Sequence, residues 1–130
     1  MRFHILTLFP GLFPGPLAES VLGRGMEEGV FSVCVHDIRD HGEGRHRTVD
    51  DAPFGGGPGM VMKPGPLDAS IKEATREAGE GADETPVVLL DPQGRRLTQR
   101  IVDEMARLPE VVLVCGRYEG VDERLIEARG

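Results

Sequence analysis

Residues 86–115, PVVLLDPQGRRLTQRIVDEMARLPEVVLVC, decide the fold class of this chain. Two apolar runs, 86–91 and 111–115, enclose a segment whose apolar residues recur at helical spacing. Strands that are apolar along their whole length are typical of parallel sheets, which are covered on both faces. The stretch therefore predicts two buried parallel strands joined by a helix over 97–108. The residues that mark this helix are Thr98, a candidate N-cap, and Ile101, Met105 and Leu108, which we expect to face inward.

Strands and helices also alternate in the rest of the chain, which predicts one α/β domain over residues 1–130, a largely parallel sheet with flanking helices. Ligands of such sheets bind beyond the carboxyl ends of the strands. Further strands are predicted over 2–9 and 30–38, and a polar loop from 39 to about 63. A helix over 17–29 should be broken near Gly23, and another helix should begin at 121. A helix over 66–79 should bury Leu67, Ile71 and Ala74 and end at Gly79.

Composition restricts the kind of protein. No apolar run approaches the roughly 20 residues of a membrane span, so no membrane association is expected. The two cysteines, Cys34 and Cys115, form no CxxC motif and suggest no disulfide framework, which favours the cytoplasm. A net charge of −7 argues against general nucleic-acid binding, although residues 92–107 carry four arginines against two acids. Any contact with nucleic acid should therefore be local.

The stretch 54–62, FGGGPGMVM, is the most glycine-rich part of the chain. It matches neither the Walker pattern, which needs Lys followed by Ser or Thr, nor the GxGxxG dinucleotide pattern. Glycine permits close approach by another chain or by a ligand. A packed loop at a subunit contact and a loop in direct contact with a ligand both remain open.

Three other runs carry candidate chemistry. In RHRTVDD (45–51), arginines can contact RNA phosphates and an aspartate can accept from a base edge, but a solvated charged loop has the same composition. LLDPQGRRL (89–97) and VCGRYEGVDER (113–123) each follow a predicted strand, so their loops lie where ligands bind, although plain turns are the alternative. His36, His41 and His46 are five residues apart with no cysteine nearby, so no metal site is predicted.

The runs RHRTVDDAPFGGGPGMVM, LLDPQGRRL and VCGRYEGVDER, in this order, together resemble the bacterial tRNA (guanine-N1)-methyltransferase family. LTLFPGLF near the start and GRG near residue 24 fit the same family. The resemblance implies a SPOUT-class domain with a trefoil knot, and a homodimer with shared active sites. It also implies transfer of a methyl group from S-adenosylmethionine to N1 of the guanosine 3′ of the anticodon in tRNA.

The resemblance also assigns roles to individual residues. Asp50 and Glu119 would assist catalysis. The cofactor would be held by Leu89, Leu90, Asp91, Pro92, Gly116, Arg117, Tyr118, Glu119 and Gly120. The residues that would contact the tRNA and its target base are Arg45, His46, Arg47, Asp50, Gly57 and Gly59.

Two departures from the family pattern qualify these roles. The strand end that often reads Tyr-Leu-Ser in the family reads Leu-Leu-Asp at residues 89–91, so contacts through the backbone survive but contacts through a Tyr ring do not. The family also continues past the position matching Gly130, with the rest of the knot, an aspartate expected to be the general base, and a tRNA-binding domain. We therefore expect residues 1–130 alone to be weakly active or inactive. A non-catalytic RNA- or nucleotide-binding dimer is the alternative, and a binder of phosphorylated metabolites is a third, disfavoured by the missing phosphate-loop patterns.

Overall fold

The computed structural model describes residues 1–52, 59–77 and 85–116 of the chain. Six strands and four α-helices lie in these ranges, together with short 3-10 helices at Pro10–Leu12 and Ile38–His41. The strands are β1 (Arg2–Thr7), β2 (Ser32–Asp37), β3 (Asp50–Asp51), β4 (Val61–Met62), β5 (Val87–Leu90) and β6 (Glu110–Cys115). The helices are α1 (Pro14–Leu17), α2 (Ser20–Glu27), α3 (Pro64–Glu77) and α4 (Gln99–Met105).

Four of these strands form one sheet in the order β2-β1-β6-β5, and every neighbouring pair is parallel. The predicted parallel α/β sheet is therefore confirmed. Strand β1 lies between β2, the next long strand along the chain, and β6, which begins about a hundred residues later. All four carboxyl ends consequently meet at one edge of the sheet.

The two strands of the 86–115 stretch differ in burial. In β6, Val111, Val112 and Val114 are buried, as predicted. In β5, by contrast, Val87 and Leu90 are 37% and 54% exposed, so the prediction of a buried strand there is wrong. Among the described residues β5 pairs only with β6, which makes it an edge strand. An apolar run predicts a strand in a parallel sheet, but it does not distinguish the centre of the sheet from its edge.

Helix α3 covers one face of the sheet. Leu67, Ile71 and Ala74 are buried, as their spacing predicted, and pack into one core with Leu6 and Val112. Helix α4 is bounded as expected at its start, because the Thr98 hydroxyl accepts a hydrogen bond from the backbone N–H of Ile101 at 3.4 Å. The apolar side of α4 is only half-buried, so this helix is less covered than predicted.

Helices α1 and α2 lie against the opposite face, where Val33 and Val35 of β2 line an apolar cavity of about 370 Å³ beneath them. The predicted helix break near Gly23 is wrong: Gly23 lies inside α2, and the chain turns between Leu17 and Ser20. Gly23 is buried, and a Cβ there would overlap the carbonyl oxygen of Ala18. Glycine is thus required for close approach of the preceding turn and not for a break in the helix.

The segment predicted as a polar loop from 39 to about 63 contains regular structure at both ends. After the 3-10 helix, β3 and β4 form a two-residue antiparallel ladder in which Asp50 pairs with Met62. Val49 and Met62 are buried in the core below α3, which fixes this ladder to the domain. Residues 53–58, the expected end of the helix at Gly79 and the helix predicted from 121 lie outside the described residues.

The Gly23 contact generates a stability prediction. Gly23→Ala should lower the free energy of unfolding by about 1–3 kcal/mol, because the added methyl group overpacks a backbone contact. Gly15→Ala in α1 is the matched control, since a Cβ at Gly15 meets no atom within 4 Å. Urea denaturation followed by circular dichroism measures both. Equal stability of the two variants would contradict the close approach.

Candidate functional site at the carboxyl edge of the sheet

Three of the four parallel strands end in the same kind of turn. A side-chain oxygen of the residue at the strand end accepts a hydrogen bond from the backbone N–H two residues later. These bonds are Thr7 Oγ1 with Phe9 at 3.0 Å, Asp37 Oδ1 with Arg39 at 2.9 Å, and Asp91 Oδ1 with Gln93 at 2.7 Å. Such turns redirect the chain and pair a backbone N–H group that the sheet leaves without a partner. The edge where ligands are expected is therefore built from fixed loops.

The tips of β5 and β6 bring together residues predicted to hold the cofactor. Leu90 pairs with Cys115, so Gly116 follows directly beside the end of β5. A Cβ on Gly116 would lie 3.9 Å from the Leu90 carbonyl oxygen, an ordinary contact. Leu89 packs against the core, whereas the side chain of Leu90 is exposed. The two tips thus form a rigid backbone shelf at the edge of the sheet.

The side chains at this shelf offer little acid–base chemistry. The Asp91 carboxylate is engaged by the Gln93 N–H, and the Asp91 carbonyl accepts from the Gly94 N–H at 3.0 Å. Pro92, inside this turn, is exposed. Burial raises the pKa of the Cys115 thiol, which keeps it protonated and poorly nucleophilic. The shelf can therefore hold a ligand through backbone N–H and C=O groups and apolar contact.

A second group of predicted residues lies in a tight hairpin between Glu43 and Thr48. These two residues exchange backbone hydrogen bonds of 2.9 Å in both directions. The loop between them holds two residues at positive φ, Gly44 at 72° and Arg47 at 51°. A positive φ is uncommon for a residue with a side chain and marks a constrained position. The tip of this hairpin carries the exposed side chains of Arg45, His46 and Arg47.

Asp50 follows the hairpin and lies half-buried on β3. Lys63, which donates its backbone N–H to the Val49 carbonyl at 2.7 Å, places its ammonium group 3.0 Å from the Glu43 carboxylate. The hydrogen bond that Lys63 donates to Glu43 raises the pKa of Lys63, with smaller contributions from Asp51 and Asp50. Asp50 is thus held beside a cation on a ladder anchored in the core.

The structure therefore arranges the predicted site residues in two groups. Leu89, Leu90, Asp91, Pro92 and Gly116 share the shelf, and Arg45, His46, Arg47 and Asp50 share the hairpin and ladder. Gly59, at φ 81°, begins the return to β4. Five predicted site residues lie outside the described ranges: Gly57, Arg117, Tyr118, Glu119 and Gly120.

The sequence analysis missed a cluster of ionisable side chains on the face of the sheet that α3 covers. It grouped His36 with His41 and His46 along the chain, but His36 contacts His4, and His4 contacts Glu110. The alternation of β1 places Arg2, His4 and Leu6 on one face, which was the available signal. The contacts of His4 with His36 and Glu110 could be identified only once the register of β1 with β2 and β6 was known.

The comparisons with known proteins agree on one family. The family model described as tRNA (Guanine-1)-methyltransferase TrmD matches residues 1–129. A curated tRNA (guanine-N(1)-)-methyltransferase of Chloroflexus aggregans is 56% identical over 98% of this chain and 49% of its own length. One of Rhodospirillum rubrum is 50% identical over 100% of this chain and 52% of its own length. The chain thus spans about half the length of the curated relatives it matches.

The structural comparison confirms the predicted SPOUT-type fold. The crystal structure of a tRNA (m1G37) methyltransferase from Aquifex aeolicus superimposes with a TM-score of 0.80 and 35% sequence identity. The match covers 98% of this chain and 56% of the other. None of the helices in the described part of the chain is long and apolar enough to cross a membrane. The sequence and the fold together place this chain in the tRNA (guanine-1)-methyltransferase family.

Proposed function

We propose that this chain is the cofactor-binding part of a tRNA methyltransferase that transfers a methyl group from S-adenosylmethionine to N1 of the guanosine 3′ of the anticodon. The observation that carries the proposal is the shelf formed by Leu90 and Gly116 at the edge of a sheet of this family. The names of the relatives support the methylated atom and the class of RNA.

The shelf suits the adenosine part of the cofactor. An adenine edge presents one donor and neighbouring acceptors, which backbone C=O and N–H groups can satisfy at a strand end. Gly116 has no side chain, so a flat base can approach the tip of β6 closely. The exposed Leu90 side chain supplies apolar surface beside it. S-adenosylmethionine, when bound, supplies an electrophilic methyl group on a sulfonium.

The hairpin suits local contact with RNA. Arg45 and Arg47 are exposed at its tip, and Arg47 has only a distant ion pair, 3.9 Å from Asp40. Both guanidinium groups remain accessible to phosphate oxygens. The backbone that presents them is already ordered by the Glu43–Thr48 hydrogen bonds, so binding costs less conformational entropy. A few arginines on an ordered loop reconcile RNA binding with a net charge of −7.

The reaction also needs a base, because guanine N1 carries a proton that must leave as the methyl group arrives. Asp50 is the described carboxylate that the proposal places on the side of the target base. We propose that it orients this base, and that Glu119 assists. The resemblance puts the general base itself in a segment that follows residue 130 in the family.

We further propose that the protein is a cytoplasmic homodimer. Support for association comes from exposed apolar side chains of Leu12, at the end of the 3-10 helix Pro10–Leu12, and of Val21 and Leu22 on α2. Both cysteines are free, which agrees with a reducing compartment. A non-catalytic RNA-binding dimer on the same fold remains the second candidate, since the arginine-bearing hairpin would serve it equally well.

Cofactor binding is tested by titration calorimetry of the chain with S-adenosylmethionine and S-adenosylhomocysteine. Gly116→Val should weaken binding roughly tenfold or more, because two methyl groups would fill the shelf. Gly94→Ala, in the neighbouring turn, is the control, and it should change affinity much less. If the folded chain binds neither compound, or if both variants bind like the original, the shelf is not the cofactor site.

Methyl transfer is tested with radiolabelled cofactor and a tRNA transcript carrying the target guanosine. The assay compares the chain alone with the chain fused to the part of the Chloroflexus aggregans relative that lies outside the matched region. We expect turnover from the fused protein and little from residues 1–130 alone. In the fused protein, Asp50→Ala should reduce the methylation rate at least tenfold with little change in cofactor affinity, whereas Asp51→Ala should be milder. A folded fused protein that binds tRNA without methylating it would favour the non-catalytic candidate.

Association is tested by sedimentation equilibrium. The proposed homodimer has a mass of about 28 kDa, twice the 14.1 kDa of the chain. A mass of one chain at micromolar concentrations, in the presence of the cofactor, would contradict the dimer for this part of the protein.

A further inference from the structure

A pair of histidines lies on the face of the sheet that α3 covers, near the last turn of this helix. His4 of β1 is fully buried, and its Nδ1 is 3.2 Å from Nε2 of His36 on β2. The Glu77 carboxylate, at the last residue of α3, is 3.7 Å from the same Nε2. The three potential ligand atoms all lie within 4.8 Å of one another. Three elements of the fold therefore each contribute one potential donor atom to the cluster.

A fourth residue indicates which ring nitrogen of His4 donates. Nε2 of His4 is 3.1 Å from the Glu110 carboxylate, and carboxylate oxygens accept hydrogen bonds. With Nε2 as the donor, Nδ1 is the acceptor that faces Nε2 of His36. An N–H of His36 or a bound cation can satisfy this acceptor.

The distances suit a metal ion as well as a proton. Ligands of a tetrahedral zinc ion with bonds of 2.0–2.1 Å lie about 3.3 Å apart. The separation of the two nitrogens is 3.2 Å, and that of His36 from Glu77 is 3.7 Å. The Glu77 side chain, which is about half exposed, would have to move closer to both nitrogens. The separation of the two nitrogens already matches that of two zinc ligands.

We propose that His4, His36 and Glu77 form a binding site for one divalent transition-metal ion of the zinc type, with water completing the coordination. Two imidazoles and one carboxylate are a donor set that zinc uses in proteins. Glu110 would act as the outer carboxylate that orients His4, an arrangement that accompanies most metal-binding histidines. This site departs from the expectation of no metal, which considered only the histidines that are near in sequence.

A second histidine–carboxylate pair lies close to the cluster. His41 Nε2 is 2.7 Å from the Glu73 carboxylate. This pair is separately satisfied and is not needed as a ligand.

Metal binding at this point would join three parts of the fold. It would tie the end of α3 to β1 and β2. A ligand that binds only the folded state raises its stability by RT ln(1 + L/Kd), where L is the free ligand concentration, so the stabilisation grows with that concentration. Because the cluster involves β1, β2 and α3, whereas the shelf lies at the tips of β5 and β6, binding can be measured independently of methyl transfer.

The test is titration calorimetry of the chain with zinc chloride, combined with thermal denaturation and the visible absorption of the cobalt(II) form. We expect one ion per chain, a raised melting temperature and the intense visible bands of four-coordinate cobalt. His36→Gln and Glu77→Gln should each weaken zinc binding roughly tenfold or more. Glu77 is exposed enough that its variant should fold normally, which circular dichroism checks.

Three control variants separate this site from others that could capture zinc. Glu73→Gln removes the neighbouring carboxylate, His46→Ala removes an exposed histidine, and Cys34→Ser removes a thiol on the strand that carries His36. Each control variant should bind zinc with an affinity within about twofold of that of the original chain. The proposal is overturned if the folded chain does not bind zinc, since the histidines then share only a proton. It is also overturned if either ligand variant binds like the original, or if a control loses binding equally.

Discussion

The rest of the structure depends on the position of β1 between β2 and β6. This parallel pairing buries Ile5 and Leu6 and aligns the carboxyl ends of the strands, so that separate loops meet at one edge. It also brings His4 beside residues that lie 32 and 106 positions away in the chain. The cluster proposed for a metal ion is therefore a consequence of this register, and the shelf proposed for the cofactor forms where β5 extends the same parallel sheet beside β6.

Much of the fold could be predicted from local patterns. The parallel sheet, the buried face of α3 and the cap at Thr98 follow from periodicity and from the chemistry of helix ends. The errors arose where the answer depended on distant neighbours. Burial of β5 depends on which strand lies beyond it, and the role of Gly23 depends on how closely the preceding turn approaches. Neither the neighbouring strand nor the close approach of the turn can be recognised from the local sequence.

Only part of the candidate site could be predicted from the sequence. The residues at the tips of β5 and β6 could be predicted because parallel strands end at the same edge, and the structure places Leu90 beside Gly116. The hairpin of Arg45 and Arg47 was predicted only as a loop, because its shape rests on backbone hydrogen bonds and on two residues with positive φ. The histidine cluster was missed because its members come together only through the sheet.

The position of β1 has a further consequence during synthesis. Strand β1 can pair with β2 early, but β6 emerges from the ribosome only after roughly 80 more residues, a delay of roughly 4 to 16 s at ordinary elongation rates. During that interval one edge of β1 has no partner, and pairing across such a separation is slow because a long loop must close. The nascent protein is therefore most prone to aggregate before β6 has been made, and conditions that slow translation between β2 and β6 should lengthen that exposure.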